Sequence, residues 1–358
     1  MTKIPNHTNR TAGESTMPDG CTIIAHGPEV FDTGEIVTVS EALLPKEVIV
    51  AGVMARTAAE ESGFPCRFNA RPPSLVVRHL PPGADAWLLN RGKTPASGEE
   101  FGRIVASRSD RPLCHIECSS RTVYGWNGAD PCRTREAARR LGFEAVFMTA
   151  DRRAGHGNTR EIRGCRPGEP VFTNGIVIGH ATADTAVLAP ENGGILAVSG
   201  IILKDHGIEK LLRKGPVDLS RAWCKSGPVR SQAAHVAERR SPVGHIAVID
   251  HAACDIYAQV NPGTCGVISI GDDTTAVCGH ICAHLGIPVF GVTDGDADTV
   301  VDHSCCEGSV IVEVTEGRDD EKGLEIAGTI PPAPCHWDCW VSSTLRSRPD
   351  IRIVRDAR

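Results

Sequence analysis

The stretch GVTDGDAD, residues 291–298, follows the apolar run IPVF and places carboxylates at Asp294, Asp296 and Asp298, with His303, Cys305 and Cys306 a few residues on. Oxygen ligands in such a cluster suit a hard divalent cation, Mg²⁺ or Mn²⁺. Gly295 gives the backbone the freedom that a tight turn requires. A polar turn with capping aspartates uses the same residue types. The expectation is a metal held first by Asp294 and Asp296, with Asp298 beside them. Cys305 and Cys306 either extend that site toward a softer metal or act in thiol redox chemistry.

Two other apolar runs end in reactive groups. IAVIDHAACD presents Asp250, His251 and, about a turn later, Cys254; VISIGDDTT presents Asp272, Asp273, Thr274 and Thr275. A helix opening directly after a strand offers free backbone N–H groups to an anion, with the Thr274 and Thr275 hydroxyls assisting. Two aspartates repel an anion unless a cation lies between them. Asp272 is therefore read as a further metal ligand, with simple capping by Asp272 or Asp273 as the alternative. A histidine side chain ordinarily changes protonation near neutrality, so His251 is the candidate general acid or base, with Asp250 and Asp273 as catalytic carboxylates. Arg56, Arg91 and Lys93 follow earlier strand-like runs and are candidates to clamp an anionic small-molecule substrate. Ordinary surface solvation explains isolated cations equally well.

Fifteen cysteines are many for a chain of 358 residues, and an odd count leaves at least one thiol unpaired. Cys278 and Cys282 are four apart on a predicted helix and so share a face. Cys335 and Cys339 in CHWDC repeat the spacing, as do Cys114 and Cys118 in CHIEC. An iron–sulfur cluster or Zn²⁺ is a possible use of these thiols, given ligands from other elements. The alternative for Cys278 and Cys282 is burial as core residues, because Ala276, Ile281 and Leu285 make their helix apolar. No zinc-finger or ferredoxin spacing is present.

These groups need elements to position them. A hydrophobic fraction of 41% with 23% charged residues is that of an ordinary globular chain. A net charge of −6 and only 4% aromatics give no strong sign of nucleic-acid binding. No apolar run is long enough to span a membrane, and the polar first residues lack a signal peptide's apolar stretch, so a cytoplasmic location is expected. A homodimer is compatible with the sequence.

The predicted fold class is α/β, with two mostly parallel-sheet domains and a small antiparallel β subdomain between them. A tail covers 1–19, and an N-terminal α/β domain covers 20–165, with SLVVRHL as one of its strands. Asn-Gly and Gly-Gly turns mark antiparallel hairpins over 166–205. Connecting helices or loops follow over 206–244. The C-terminal α/β domain, 245–315, carries the metal ligands on strands rich in Val and Ile. Residues 316–358 read as a turn-rich, cysteine-containing tail without a core element of its own.

The C-terminal element order and the DGD motif resemble the Toprim fold of topoisomerases and primases, or more generally a Rossmann-like sheet. The Toprim resemblance implies a Mg²⁺ site in which Asp294 and Asp296 form the DxD pair. Asp250 stands where that family has glutamate, and Tyr124 and Tyr257, the only tyrosines, give no nucleophile for strand transfer. Across most of residues 20–315 the chain resembles the archaeal domain of unknown function 2117. HGPEVFDTG, LLNRGKTPASG, AWCKSGPVR, IDHAACD, GDDTTAVCG and GVTDGD carry that resemblance. It implies a cytoplasmic archaeal protein and brings no activity with it.

The lead expectation is a metal-dependent enzyme acting on a phosphorylated or otherwise anionic small molecule. Alternatives are an iron–sulfur or thiol redox protein, and a metal- or ligand-binding regulator without catalysis.

Overall fold

The computed structural model describes residues 20–109, 111–150, 159–295, 298, 300–301 and 304–358. The expected ligand Asp296 and its neighbour His303 lie outside the described residues.

Seven strands build the first sheet: β1 (Thr22–His26), β2 (Glu47–Ala51), β3 (Arg67–Asn69), β4 (Ala86–Asn90), β5 (Leu113–Glu117), β6 (Thr122–Trp126) and β7 (Glu144–Met148). Their order is β3-β2-β1-β4-β5-β6-β7, parallel throughout except for the β5–β6 pair. TIIAH, EVIVA and AWLLN are buried along nearly their whole length. Such continuous apolar runs are what a sheet covered on both faces requires. The covering helices are α1 (Glu29–Asp32), α2 (Glu35–Leu43), α3 (Val53–Ser62), α4 (Pro73–His79), α5 (Pro95–Arg108) and α6 (Pro131–Leu141).

SLVVRHL lies in α4 and is not the strand its β-branched residues predicted. Pro73 at the helix start has the fixed φ a first turn needs, and Pro cannot donate to a sheet ladder. Val76 and Val77 of the helix, with Leu80 just past its end, are then buried in the core against the sheet.

The antiparallel part comprises β8 (Arg160–Arg163), β9 (Pro170–Thr173), β10 (Ile176–Ala181), β11 (Thr185–Glu191), β12 (Gly194–Ser199) and β13 (Ile201–Leu203), followed by α7 (Asp205–Arg213) and β14 (Cys224–Ser226). Two sheets result, β13-β10-β9-β14 and β12-β11-β8. Asn174-Gly175 and Asn192-Gly193 turn two of the hairpins with positive φ at both residues, the geometry that matches strand twist. The segment expected to hold only connecting helices or loops contributes β14 to this part.

The last sheet contains β15 (Val243–Asp250), β16 (Thr264–Ile270), β17 (Val289–Thr293), β18 (Val310–Val314), β19 (Cys335–His336) and β20 (Ile351–Asp356), with α8 (Ile256–Gln259), α9 (Asp272–Leu285), α10 (Asp319–Ala327) and α11 (Trp337–Ser347). In the order β19-β15-β16-β17-β18-β20 the four central strands are parallel and both edges antiparallel. The residues after 316 are therefore not a tail without a core element. They supply both edge strands and two helices. Trp337 drives this: it is fully buried, and a Cβ on Gly266 would lie 1.9 Å from its ring. Its indole N–H donates to the Gly308 carbonyl at 2.8 Å. Trp340 packs edge-on against Phe290, ring centroids 5.4 Å apart.

One side chain ties the layers together. Arg230, after β14, is buried, with its guanidinium between Asp32 of α1, Glu61 of α3 and His280 of α9 at 2.5, 2.6 and 3.2 Å. His284 of α9 reaches Glu60 at 3.2 Å, and Tyr257 meets Thr57 at 2.8 Å. Removing one partner of a buried ion pair strands the others, so Arg230→Ala should cost about 3–5 kcal/mol in urea unfolding. A loss below about 1 kcal/mol, the scale of an exposed pair, would show that these ions do not hold the layers together. Trp337→Ala should cost about 3–5 kcal/mol by the same assay, because the cavity cannot collapse around Gly266.

Candidate metal centre at the strand ends

Parallel strands in one sheet end on the same edge, and four of them deliver a carboxylate there. β15 ends at Asp250, and α9 begins at Asp272 directly after β16. Asp294 follows β17, and Asp319 opens α10 after β18. One carboxylate oxygen from each of Asp272, Asp294 and Asp319 lies within 4.8 Å of the others. A second group, Asp250, His251 and Asp320, meets the same limit. Adjacent residues of α10 thus point one into each group.

Burial makes the first group unusual. Asp319 is 1% exposed and Asp272 6%. Asp294 Oδ1 and Asp319 Oδ2 are buried and have no hydrogen-bond partner among the described residues. The other Asp319 oxygen accepts from the Asp320 amide at 2.9 Å. Burial raises the Asp319 pKa above the ordinary aspartate range; Lys210 offsets part of the rise, and Asp294 and Asp320 add to it. An unpaired buried carboxylate oxygen is costly. Two of them in one cluster fit an oxygen-binding cation, and a hard ion suits an all-carboxylate donor set.

Main-chain bonds fix the geometry. Asp272 accepts from the Asp294 amide at 3.0 Å, and Asp273 from the Asp298 amide at 3.3 Å. Gly271 turns from strand to helix at φ 100°, where a larger residue would be strained, and no side chain caps α9. The capping alternative for Asp272 and Asp273 thus takes a different form: they accept from the amides of Asp294 and Asp298. Thr274 lines the cleft above the helix start. Thr275 faces the sheet, its hydroxyl 2.9 Å from Ser269 Oγ and its methyl against Gly291.

His251 adopts φ 50° as β15 ends, a left-handed turn uncommon outside glycine. Its Nδ1 is 2.5 Å from Asp250 Oδ1, and its Nε2 is 3.2 Å from Asp320 Oδ1, near enough for an ion pair but outside hydrogen-bond geometry. Arg213 and Lys214 brace this side: Arg213 pairs with Asp320 at 2.5 Å, and Lys214 donates to the His251 carbonyl at 2.9 Å.

The wall facing the carboxylates comes from α7 and the residue before it. Lys204, His206 and Lys210 line the same cleft as Asp272, Asp273, Thr274, His251 and Asp298. Lys204 donates to Asp298 at 2.9 Å, and His180 stands 3.2 Å from the same carboxylate. His206 Nε2 is 3.8 Å from Asp294. Asp298 is thus drawn toward the cations of the antiparallel part and is not in the three-carboxylate group.

The cations expected to clamp the substrate sit elsewhere. Arg56 pairs with Glu60 at 2.8 Å and stacks over Tyr257, 3.8 Å from its ring centre. Arg91 pairs with Glu35, and Lys93 with Glu169. None of the three lines the cleft at Asp272. Sequence reading missed Asp319 and Asp320, although RDDE after VIVEV has the same strand-then-acid pattern as ISIGDD. It also missed the α7 cations, whose signal is the basic spacing of KDHGIEKLLRK.

The cysteines do not gather at this edge. Cys278 and Cys282 are fully buried within the α9 core, and burial raises both thiols. A thiol held protonated is a poor ligand and a poor nucleophile. Cys306 is buried, Cys305 and Cys335 are half-buried, and Cys254 and Cys339 are exposed. Cys265 lies 3.7 Å from the Cys335 carbonyl. Among the described residues, neither group of three or more metal-ligating side chains contains a cysteine. No helix among them is long and apolar enough to cross a membrane.

Comparison with known proteins places this architecture in a family. The profile described as "uncharacterized protein conserved in archaea", domain of unknown function 2117, matches residues 23–332. Protein MJ0065 of Methanocaldococcus jannaschii is 30% identical over 325 residues, covering 84% of this chain and 88% of that protein. Among solved structures, the RCK domain of GsuK is 14% identical, with 82% of this chain and 73% of that one covered at a TM-score of 0.20. The GsuK channel bound to NAD is 13% identical at the same TM-score, with 95% and 67% covered. Scores that low carry no structural argument. The family profile and the M. jannaschii relative agree over most of the chain, which belongs to this archaeal family.

Proposed function

We propose that the protein is an enzyme that uses a divalent cation, Mg²⁺ or Mn²⁺, held by Asp272, Asp294 and Asp319, to act on a phosphorylated or otherwise anionic small molecule. The observation that carries this reading is the pair of buried carboxylate oxygens, on Asp294 and Asp319, that have no hydrogen-bond partner among the described residues. In this reading the C-terminal sheet is a divergent Toprim-like or Rossmann-like scaffold, in which the crevice beyond the strand ends holds the ligand.

The bound cation would polarise a substrate oxygen and offset charge developing there. Lys210 and His206 face the carboxylates and would receive the anionic group, with Lys204 held in place by Asp298. His251, steadied by Asp250 and Asp320, would move a proton at Nε2. The thiols have no role in this chemistry.

Adding Mn²⁺ to metal-free protein should raise its melting temperature in proportion to ligand saturation. Asp319→Asn should abolish that rise. It should also make the metal-free protein more stable than wild type by about 1 kcal/mol or more, because an unsatisfied buried charge disappears. An undiminished Mn²⁺ response in Asp319→Asn would remove the site from this position. Lys210→Ala should leave the Mn²⁺ response intact and weaken binding of inorganic phosphate to the Mn²⁺-loaded protein about tenfold, the value of one charge-assisted hydrogen bond. Calorimetry with equal phosphate affinity in the two proteins would place the anion elsewhere.

A further inference from the structure

The metal reading leaves the start of α9 unused. This helix runs 14 residues from Asp272, and its first turn opens into the cleft walled by α7, with no side-chain cap. The first N–H groups of a helix have no acceptor within it and carry the positive end of its dipole, so they favour an anion. Gly271 keeps the approach open. It turns at φ 100° with no side chain to shield the helix start, and a Cβ there would meet His251 Nε2 at 2.8 Å.

The two threonines of this first turn differ. Thr275 bonds into the sheet through Ser269, whereas Thr274 lines the cleft. Thr274 is only 9% exposed, yet its hydroxyl has no hydrogen-bond partner among the described residues. A hydroxyl so far from water is normally bonded, and one that is not marks the place of a missing acceptor. Lys210, half-buried in the facing wall, forms no ion pair with a carboxylate among the described residues. Asp272 belongs both to this cleft and to the three-carboxylate group, so the cleft and the candidate metal centre share a wall. The cleft encloses about 40 Å³, room for a few water-sized groups and not for a whole substrate.

From the unmet Thr274 hydroxyl at an uncapped helix start, opposite Lys210, we propose that the substrate is a phosphate monoester whose phosphoryl group sits at the start of α9. The seat depends on the cation of the metal reading, because Asp272 and Asp273 repel an anion unless a positive ion lies beside them. The terminal oxygens of a monoester number three. One meets the cation, one the Thr274 hydroxyl and the helix start, and one the Lys210 ammonium. A carboxylate has two oxygens, and a phosphodiester has two that carry no ester group, so either would leave one of these partners unmatched. The small enclosed volume takes the phosphoryl group alone and leaves the organic part of the ester outside the cleft.

The test is calorimetry on the full chain loaded with Mn²⁺, titrated with methyl phosphate, dimethyl phosphate and acetate. Methyl phosphate should bind about tenfold more tightly than either of the others, the value of one hydrogen bond to a charged group. Thr274→Val keeps the side chain's shape and removes its hydroxyl, and should weaken methyl phosphate binding about tenfold for the same reason. Thr274→Ser should restore the affinity, and both variants should keep the wild-type rise in melting temperature with Mn²⁺. Equal affinity for the three anions, or undiminished methyl phosphate binding in Thr274→Val, would overturn the proposal. The metal reading would survive that result if Mn²⁺ still raised the melting temperature, whereas a wild-type chain with no Mn²⁺ response would remove both.

Discussion

The position of α9 depends on the guanidinium of Arg230. Its fork holds Asp32 and Glu61 from the first sheet's helices while the remaining nitrogen meets His280 of α9. Buried charge tolerates little displacement, since an arginine that loses a carboxylate leaves both ions desolvated. The His284–Glu60 contact repeats the constraint between α3 and α9, and the Tyr257–Thr57 contact ties α3 to the neighbouring α8. Because α9 begins at Asp272, fixing its register fixes the first ligand of the candidate metal centre.

The rest of that centre follows from strand direction. Four parallel strands ending on one edge bring together side chains up to 69 positions apart, from Asp250 to Asp319. The antiparallel part then closes the cleft with cations from α7. Gly207 lets α7 come close, since a Cβ there would be 2.1 Å from the Val177 carbonyl. Carboxylates from one layer and cations from another therefore face each other across a cleft. In the proposed reading the carboxylates receive the metal and the cations opposite them the anion.

Much of the fold was legible because its signals are local. Continuous Val and Ile runs marked the buried strands, Asn-Gly marked the hairpins, and GDD after ISI marked a strand turning into a helix. Asp272 and Asp294 could be read in the same way. The failures have a shared cause in tertiary context. CHWDCW has prolines on its N-terminal side and looked like a turn, but Trp337 finds a glycine-shaped hole on β16 that no local pattern reveals. SLVVRHL carries strand-forming valines, yet Pro73 and the sheet surface favour a helix. Asp319 was lost with the misread tail. Arg56, Arg91 and Lys93 showed the right charge, but the acidic partners that occupy them, Glu60, Glu35 and Glu169, lie 4 to 76 residues away.

The most direct test of the metal centre is an anomalous-difference map from crystals of the protein grown with Mn²⁺. The account predicts one strong peak enclosed by Asp272, Asp294 and Asp319, with carboxylate oxygens at about 2.0–2.2 Å as expected for a small hard cation. No peak within that triangle, or manganese bound instead at cysteine or at surface carboxylates, would contradict it.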